Sequence, residues 1–112
     1  MHFLLFFCID MSRRKQVLDK KSVETRIPIG CEDMVLLPQV SEDGIVDNLT
    51  LRLSSAELYT NIGHVLVACN PYKWLDIYSE EYVKKYTHQQ RVDVAPHIFS
   101  TAEATYRTVS LV

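Results

Sequence analysis

The chain has 112 residues, 47% apolar and 23% charged, which suits one globular domain with a modest core. Its formal net charge of −2 gives no electrostatic footprint for nucleic acid and excludes that class of partner. Three cysteines, Cys8, Cys31 and Cys69, at irregular spacing point to reduced thiols in a cytosolic setting rather than to a disulfide framework.

In chain order, Phe3-Leu-Leu-Phe-Phe-Cys-Ile9 is strongly apolar but far below the roughly 18 residues needed to span a bilayer. No lysine or arginine precedes it and no clear small-residue cleavage site follows, so it fits a secretory signal poorly. Met11-Ser-Arg-Arg-Lys15 reads as an independent start, which makes residues 1–10 an over-extended reading frame or a short apolar leader. Residues 11–29 form a polar lead-in rich in lysine and arginine, a solvated stretch or a basic surface contact.

Pro28, Gly30 and Pro38 punctuate the next stretch, with Met34-Val-Leu-Leu37 expected as a short buried turn or helix. Ser41 suits a helix N-cap, with Glu42 and Asp43 at the positive end of the dipole. Ile45, Val46, Leu49 and Leu53 recur at helical spacing, so residues 42–53 are expected to be a helix with one apolar face, weakened by about 1 kcal/mol at Gly44. Tyr59, Thr60 and Ile62 have strand character, and a hairpin through Asn61 to His64 would lead into the run His64-Val-Leu-Val-Ala-Cys69. That run is apolar on both faces, as in a sheet flanked by helices, and Pro71 ends it. Ser79 is expected to cap another helix, with Glu80 and Glu81 at its start and Lys84 and Lys85 near its end. Pro96 fits the first turn of a last helix whose apolar positions Phe99, Ala102, Tyr106 and Val109 step by three or four. The fold class is α/β.

The stretch that carries chemistry is Asn70 to Tyr78. Tyr72, Trp74 and Tyr78 offer flat faces with polar tips, Asn70 a donor and an acceptor, and Lys73 a positive charge, a set that suits a nucleobase. Packing against neighbouring helices accounts for the same aromatics. The glycines Gly30, Gly44 and Gly63 begin no G-x-x-x-x-G-K-[ST] phosphate loop. The acidic pairs Glu32/Asp33, Glu42/Asp43 and Glu80/Glu81 find no partner for acid–base work, and His2, His64, His88 and His97 with the cysteines show no metal-ligand spacing.

Ile62-Gly-His-Val-Leu-Val-Ala-Cys-Asn-Pro-Tyr-Lys73, closed by Tyr78 in an N-P-x-x-x-x-x-x-Y pattern, resembles the early part of a myosin motor domain. Gly30-Cys-Glu-Asp-Met-Val-Leu-Leu37, Ser41-Glu-Asp-Gly-Ile-Val-Asp-Asn-Leu49, Val94-Ala-Pro-His-Ile-Phe99 and Ala102-Glu-Ala-Thr-Tyr-Arg107 extend the likeness in order from Gly30 to about Val109. The short lead-in before Gly30 looks more like a class I, single-headed myosin than a conventional one.

The resemblance implies that residues 30–112 are the N-terminal part of a P-loop NTPase-type motor domain, incomplete, with helices and one or two strands of the central sheet. It implies an actin-activated ATPase using Mg-ATP, with Asn70, Pro71, Tyr72, Lys73 and Tyr78 as the adenine-side wall and Tyr78 as the contact to the base. Lys73 would lie near adenine or ribose, Trp74 occupies a variable position, and His97 would make a structural contact. The implied partners of the whole family are actin filaments and calmodulin-like light chains, membrane only through a tail, in the cytoplasmic actin cytoskeleton. Without a P-loop, switches or actin-binding surface, the chain alone is expected to be inactive and to bind nucleotide at best millimolarly, about −4 kcal/mol. An isolated strand 64–69 would leave its edge open and the product poorly soluble. A non-catalytic interaction fragment, or a small secreted or membrane-tethered protein using residues 1–9 as leader, are the alternatives.

Overall fold

The computed structural model describes residues 4–7 and 30–111. The polar lead-in of residues 11–29 lies outside them. Among the described residues, three strands, β1 (Leu4–Phe7), β2 (Tyr59–Ile62) and β3 (Val65–Cys69), form a sheet in the order β1-β3-β2. The described residues also form the helices α1 (Glu42–Ser54), α2 (Glu80–Tyr86) and α3 (Ile98–Ser110), with 3-10 turns at Met34–Leu36 and Arg91–Asp93.

The hairpin forms as its sequence requires. Gly63, at φ +56°, takes the left-handed position that a two-residue hairpin turn needs, and β2 then pairs antiparallel with β3 from Ile62↔Val65 to Tyr59↔Ala68. Strand β1 pairs parallel with the other side of β3, from Leu4↔Leu66 to Phe7↔Cys69. The sheet therefore holds one strand more than expected from the hairpin segment. β3 is central, not open-edged, because the apolar run near the N-terminus supplies the second row of backbone partners.

Burial along β3 follows the two-residue period. Val67 and Cys69 join Met34 and Leu49 in one cluster, with Ile45 and Leu53 of α1 packed against it. Leu66 and Ala68 join Tyr59 in a second cluster on the opposite face, against Ile77 and Ile98. An unbroken apolar strand with both faces covered is thus what the fold contains.

Helix α1 starts where Ser41 Oγ accepts the Gly44 N–H at 3.1 Å. It ends in a Schellman arrangement, with Glu57 N–H donating to Arg52 O at 2.9 Å and Ala56 N–H to Leu53 O at 3.0 Å. Its buried face is mixed: Leu49 is buried beside Asn48 and Arg52. Asn48 Oδ1 accepts from Cys31 N–H at 2.7 Å and its amide donates to Cys31 O at 3.0 Å, tying the incoming chain to the helix.

Three local expectations are corrected. In the turn at Met34–Leu36 only Met34 is buried, while Val35 and Leu36 are exposed, because a three-residue turn presents one side chain to the sheet. Ser79 stands at the N-cap of α2 as expected but makes no side-chain cap bond, leaving Glu80 and Glu81 as the favourable charges at that end. The last helix begins after Pro96, with His97 as its N-cap, and its expected apolar stripe is largely open: Tyr106 is 69% and Val109 68% exposed. Packing holds α3 mainly at its first turn, where Ser100 is buried.

Candidate functional site

Strand β3 delivers the chain from buried Cys69 to exposed Asn70. There Asn70 Oδ1 accepts the Tyr72 N–H at 2.8 Å, closing a tight side-chain turn around Pro71. Tyr72 lies at φ +50°, a left-handed conformation that costs an L-residue roughly 1–2 kcal/mol. The turn leaves Tyr72, Lys73 and Trp74 facing solvent, with Trp74 97% exposed. Beyond it, Trp74, Leu75, Asp76, Tyr78 and Ser79 line an open cleft of about 480 Å³.

The far end of this loop is anchored to an aromatic cage around His97. The imidazole is almost fully buried, with the rings of Tyr86, Tyr59, Tyr78, Tyr82 and Phe99 at 4.6–5.6 Å between centroids. Its Nδ1 accepts the Phe99 N–H at 3.0 Å, so the proton belongs on Nε2, which donates to Ile77 O at 2.8 Å. This neutral tautomer caps α3 with one nitrogen and holds the loop backbone with the other. Burial lowers the His97 pKa, Lys85 lowers it further, and the bond to the Ile77 carbonyl opposes both.

Tyr78 is tethered a second time. Its hydroxyl lies 2.7 Å from the Tyr59 hydroxyl, while 47% of the residue remains exposed. Tyr59 is buried in β2, and burial pushes its phenol well above the ordinary tyrosine range, with the Tyr78 bond adding to the shift. At the opposite end of the sheet, Arg91 donates to His64 O at 2.9 Å and to Asn61 Oδ1 at 2.8 Å, while Asp33 Oδ1 accepts the Gly63 N–H at 3.0 Å. The hairpin turn is thereby fixed, and β3 with it.

Of the residues singled out from sequence, Asn70, Pro71, Tyr72 and Lys73 build the turn leading to the cleft, and Tyr78 forms part of its wall. Sequence reasoning missed Tyr59 as a tether, while the structural contact expected of His97 is present as the anchor of the loop. A signal for the cage was present: Tyr78, Tyr82 and Tyr86 are spaced by four residues, which puts three rings on one side of α2 and its lead-in.

The family model for the myosin head (motor domain) matches residues 31–111. Over 81 residues the chain is 46% identical to a myosin IC heavy chain of Dictyostelium discoideum, covering 71% of this chain and 7% of that protein. It is 45% identical over 78 residues to a Myosin-1 of Aspergillus terreus, covering 70% of this chain and 6% of the relative. With a Myosin-1 of Aspergillus oryzae the identity is 42% over 94 residues, covering 82% of this chain and 8% of the relative. The chain spans less than a tenth of the length of these relatives.

Proposed function

The chain belongs to the myosin head (motor domain) family, and on that premise we propose that it supplies the adenine-side wall of the nucleotide site in an actin-based, ATP-driven motor. One observation carries the reading. The Asn70–Tyr78 loop is held at both ends, by the Asn70 turn and by the Tyr59 and His97 tethers, yet keeps Tyr78 and Trp74 open on one cleft. A flat base suits such a place, with Trp74 and Leu75 as apolar surface and the Tyr78 hydroxyl for its edge. Tyr78 makes the hydrogen bond to adenine, and Asn70, Pro71 and Tyr72 shape the wall. Lys73, exposed beside them, lies near adenine or ribose.

The remainder of the motor's activity needs groups these residues do not include. No G-x-x-x-x-G-K-[ST] occurs in the sequence, so Mg-ATP phosphates have no cradle here. By itself the chain binds ATP at best millimolarly and does not hydrolyse it. Actin filaments, calmodulin-like light chains and a place in the cytoplasmic actin cytoskeleton belong to the whole motor.

The test is a titration of the isotope-labelled chain with ATP to several millimolar, followed by backbone amide resonances, with tripolyphosphate as the baseless control. Shifts concentrated in residues 70–78 with ATP and absent with tripolyphosphate are expected. No response, or the same response to both compounds, would remove the adenine role.

A further inference from the structure

We propose that Tyr59 is a positioning residue for the base contact: its buried hydroxyl holds the Tyr78 hydroxyl in one orientation toward the cleft. The inference rests on the nucleotide reading above and adds to it a residue that touches no ligand. Residues 74–77 leading to Tyr78 have no regular secondary structure, and Tyr78 is 47% exposed. A phenol so placed would turn freely and lose that freedom on binding. Two tethers remove it beforehand. His97 Nε2 holds the neighbouring Ile77 carbonyl at 2.8 Å, and Tyr59 Oη meets Tyr78 Oη at 2.7 Å.

Tyr59 is itself a rigid base for this bond. It sits in β2 opposite Ala68, is 8% exposed, and packs its ring 5.0 Å from that of His97. A buried hydroxyl proton requires an acceptor, and among the described residues the Tyr78 oxygen is the one placed within reach, so we assign Tyr59 as donor and Tyr78 as acceptor. The raised pKa of Tyr59 keeps that proton in place across the physiological range. That assignment leaves Tyr78 its own proton and one lone pair for a ligand. One donor beside one acceptor complements the edge of adenine, where an amino group adjoins a ring-nitrogen acceptor.

The experiment is a double-mutant cycle on the full chain, read by ATP titration and by the Tyr78 Cζ resonance in tyrosine-labelled protein. Tyr59→Phe removes only the hydroxyl and keeps the ring in its packing. We expect Tyr59→Phe to weaken ATP about three- to tenfold and to move the Tyr78 Cζ resonance, and to have no further effect once Tyr78→Phe is present. Equal weakening by Tyr59→Phe in both backgrounds would mean that it acts through the fold, and would overturn the inference alone. An unchanged affinity and Cζ resonance in Tyr59→Phe would overturn it as well. If instead Tyr78→Phe leaves ATP binding unchanged, the base contact itself fails, and the positioning role falls with it.

Discussion

His97 accepts an amide at one nitrogen and donates to a carbonyl from the other, so a second ring proton would confront the Phe99 N–H. Burial of the ring among aromatic side chains disfavours an imidazolium, and Lys85 adds to this, against the bond to the Ile77 carbonyl that favours it. The folded pKa is depressed below its ordinary 6.5, so the unfolded chain takes up the proton first as pH falls. Stability from this residue is therefore complete above about pH 6.5 and declines as pH drops toward the depressed native value. Urea midpoints at about pH 7.5 and pH 5.5 should show the fall in the native sequence and a flatter response in His97→Gln. Arg52 presents a different case at the same scale. Its side chain is 1% exposed, donating to Thr60 Oγ1 at 2.8 Å and to Tyr59 O at 2.9 Å, while Glu57 at 3.9 Å lies on the rim. Arg52→Ala strips two buried acceptors of their donor and should cost about 3 kcal/mol or more by denaturant titration.

Among the elements, α1 carries an identifiable flaw. The first residue past its C-cap, Ala56, stands at φ +63° where Schellman ends favour glycine. Ala56→Gly should raise stability by about 1 kcal/mol, measurable as a shift in urea midpoint with an unchanged slope. The elements themselves were largely legible in the sequence, because α1 has a helical apolar period and β3 an apolar run bounded by Gly63 and Pro71. The loop at Asn70 was legible too, since an Asn-Pro turn acts locally. What escaped was non-local. Arg52 looks like a solvated charge until β2 offers it a carbonyl and a hydroxyl, and nothing in Tyr59 announces a bond to a residue 19 positions away. The same limit applies to Leu4–Phe7: four apolar residues read alike as leader or as strand until a partner edge is known.

For the molecule as a whole, the sheet depends on that distant strand. A chain beginning at Met11 would expose the side of β3 that β1 now pairs, and we expect it to be less stable and to self-associate in sedimentation analysis. Equal stability and a monomeric profile would show that the pairing contributes little. Trp74, Val92 and Leu111, each more than 85% exposed, add apolar surface that favours association in either form. The parallel register also has a consequence in time. Leu4 pairs with Leu66, 62 positions later, whereas the hairpin partners Ile62 and Val65 are three apart. Closing the longer loop costs roughly 2–3 kcal/mol more in chain entropy, so the hairpin is expected to form first and β1 to dock onto it afterwards. On a ribosome adding about 5–20 residues per second, the opening apolar run waits on the order of 3–12 seconds before its partner has even been synthesised. Throughout that interval it is a nascent hydrophobic segment without a strand to join, and chaperones that recognise such segments have their opportunity before the sheet is complete.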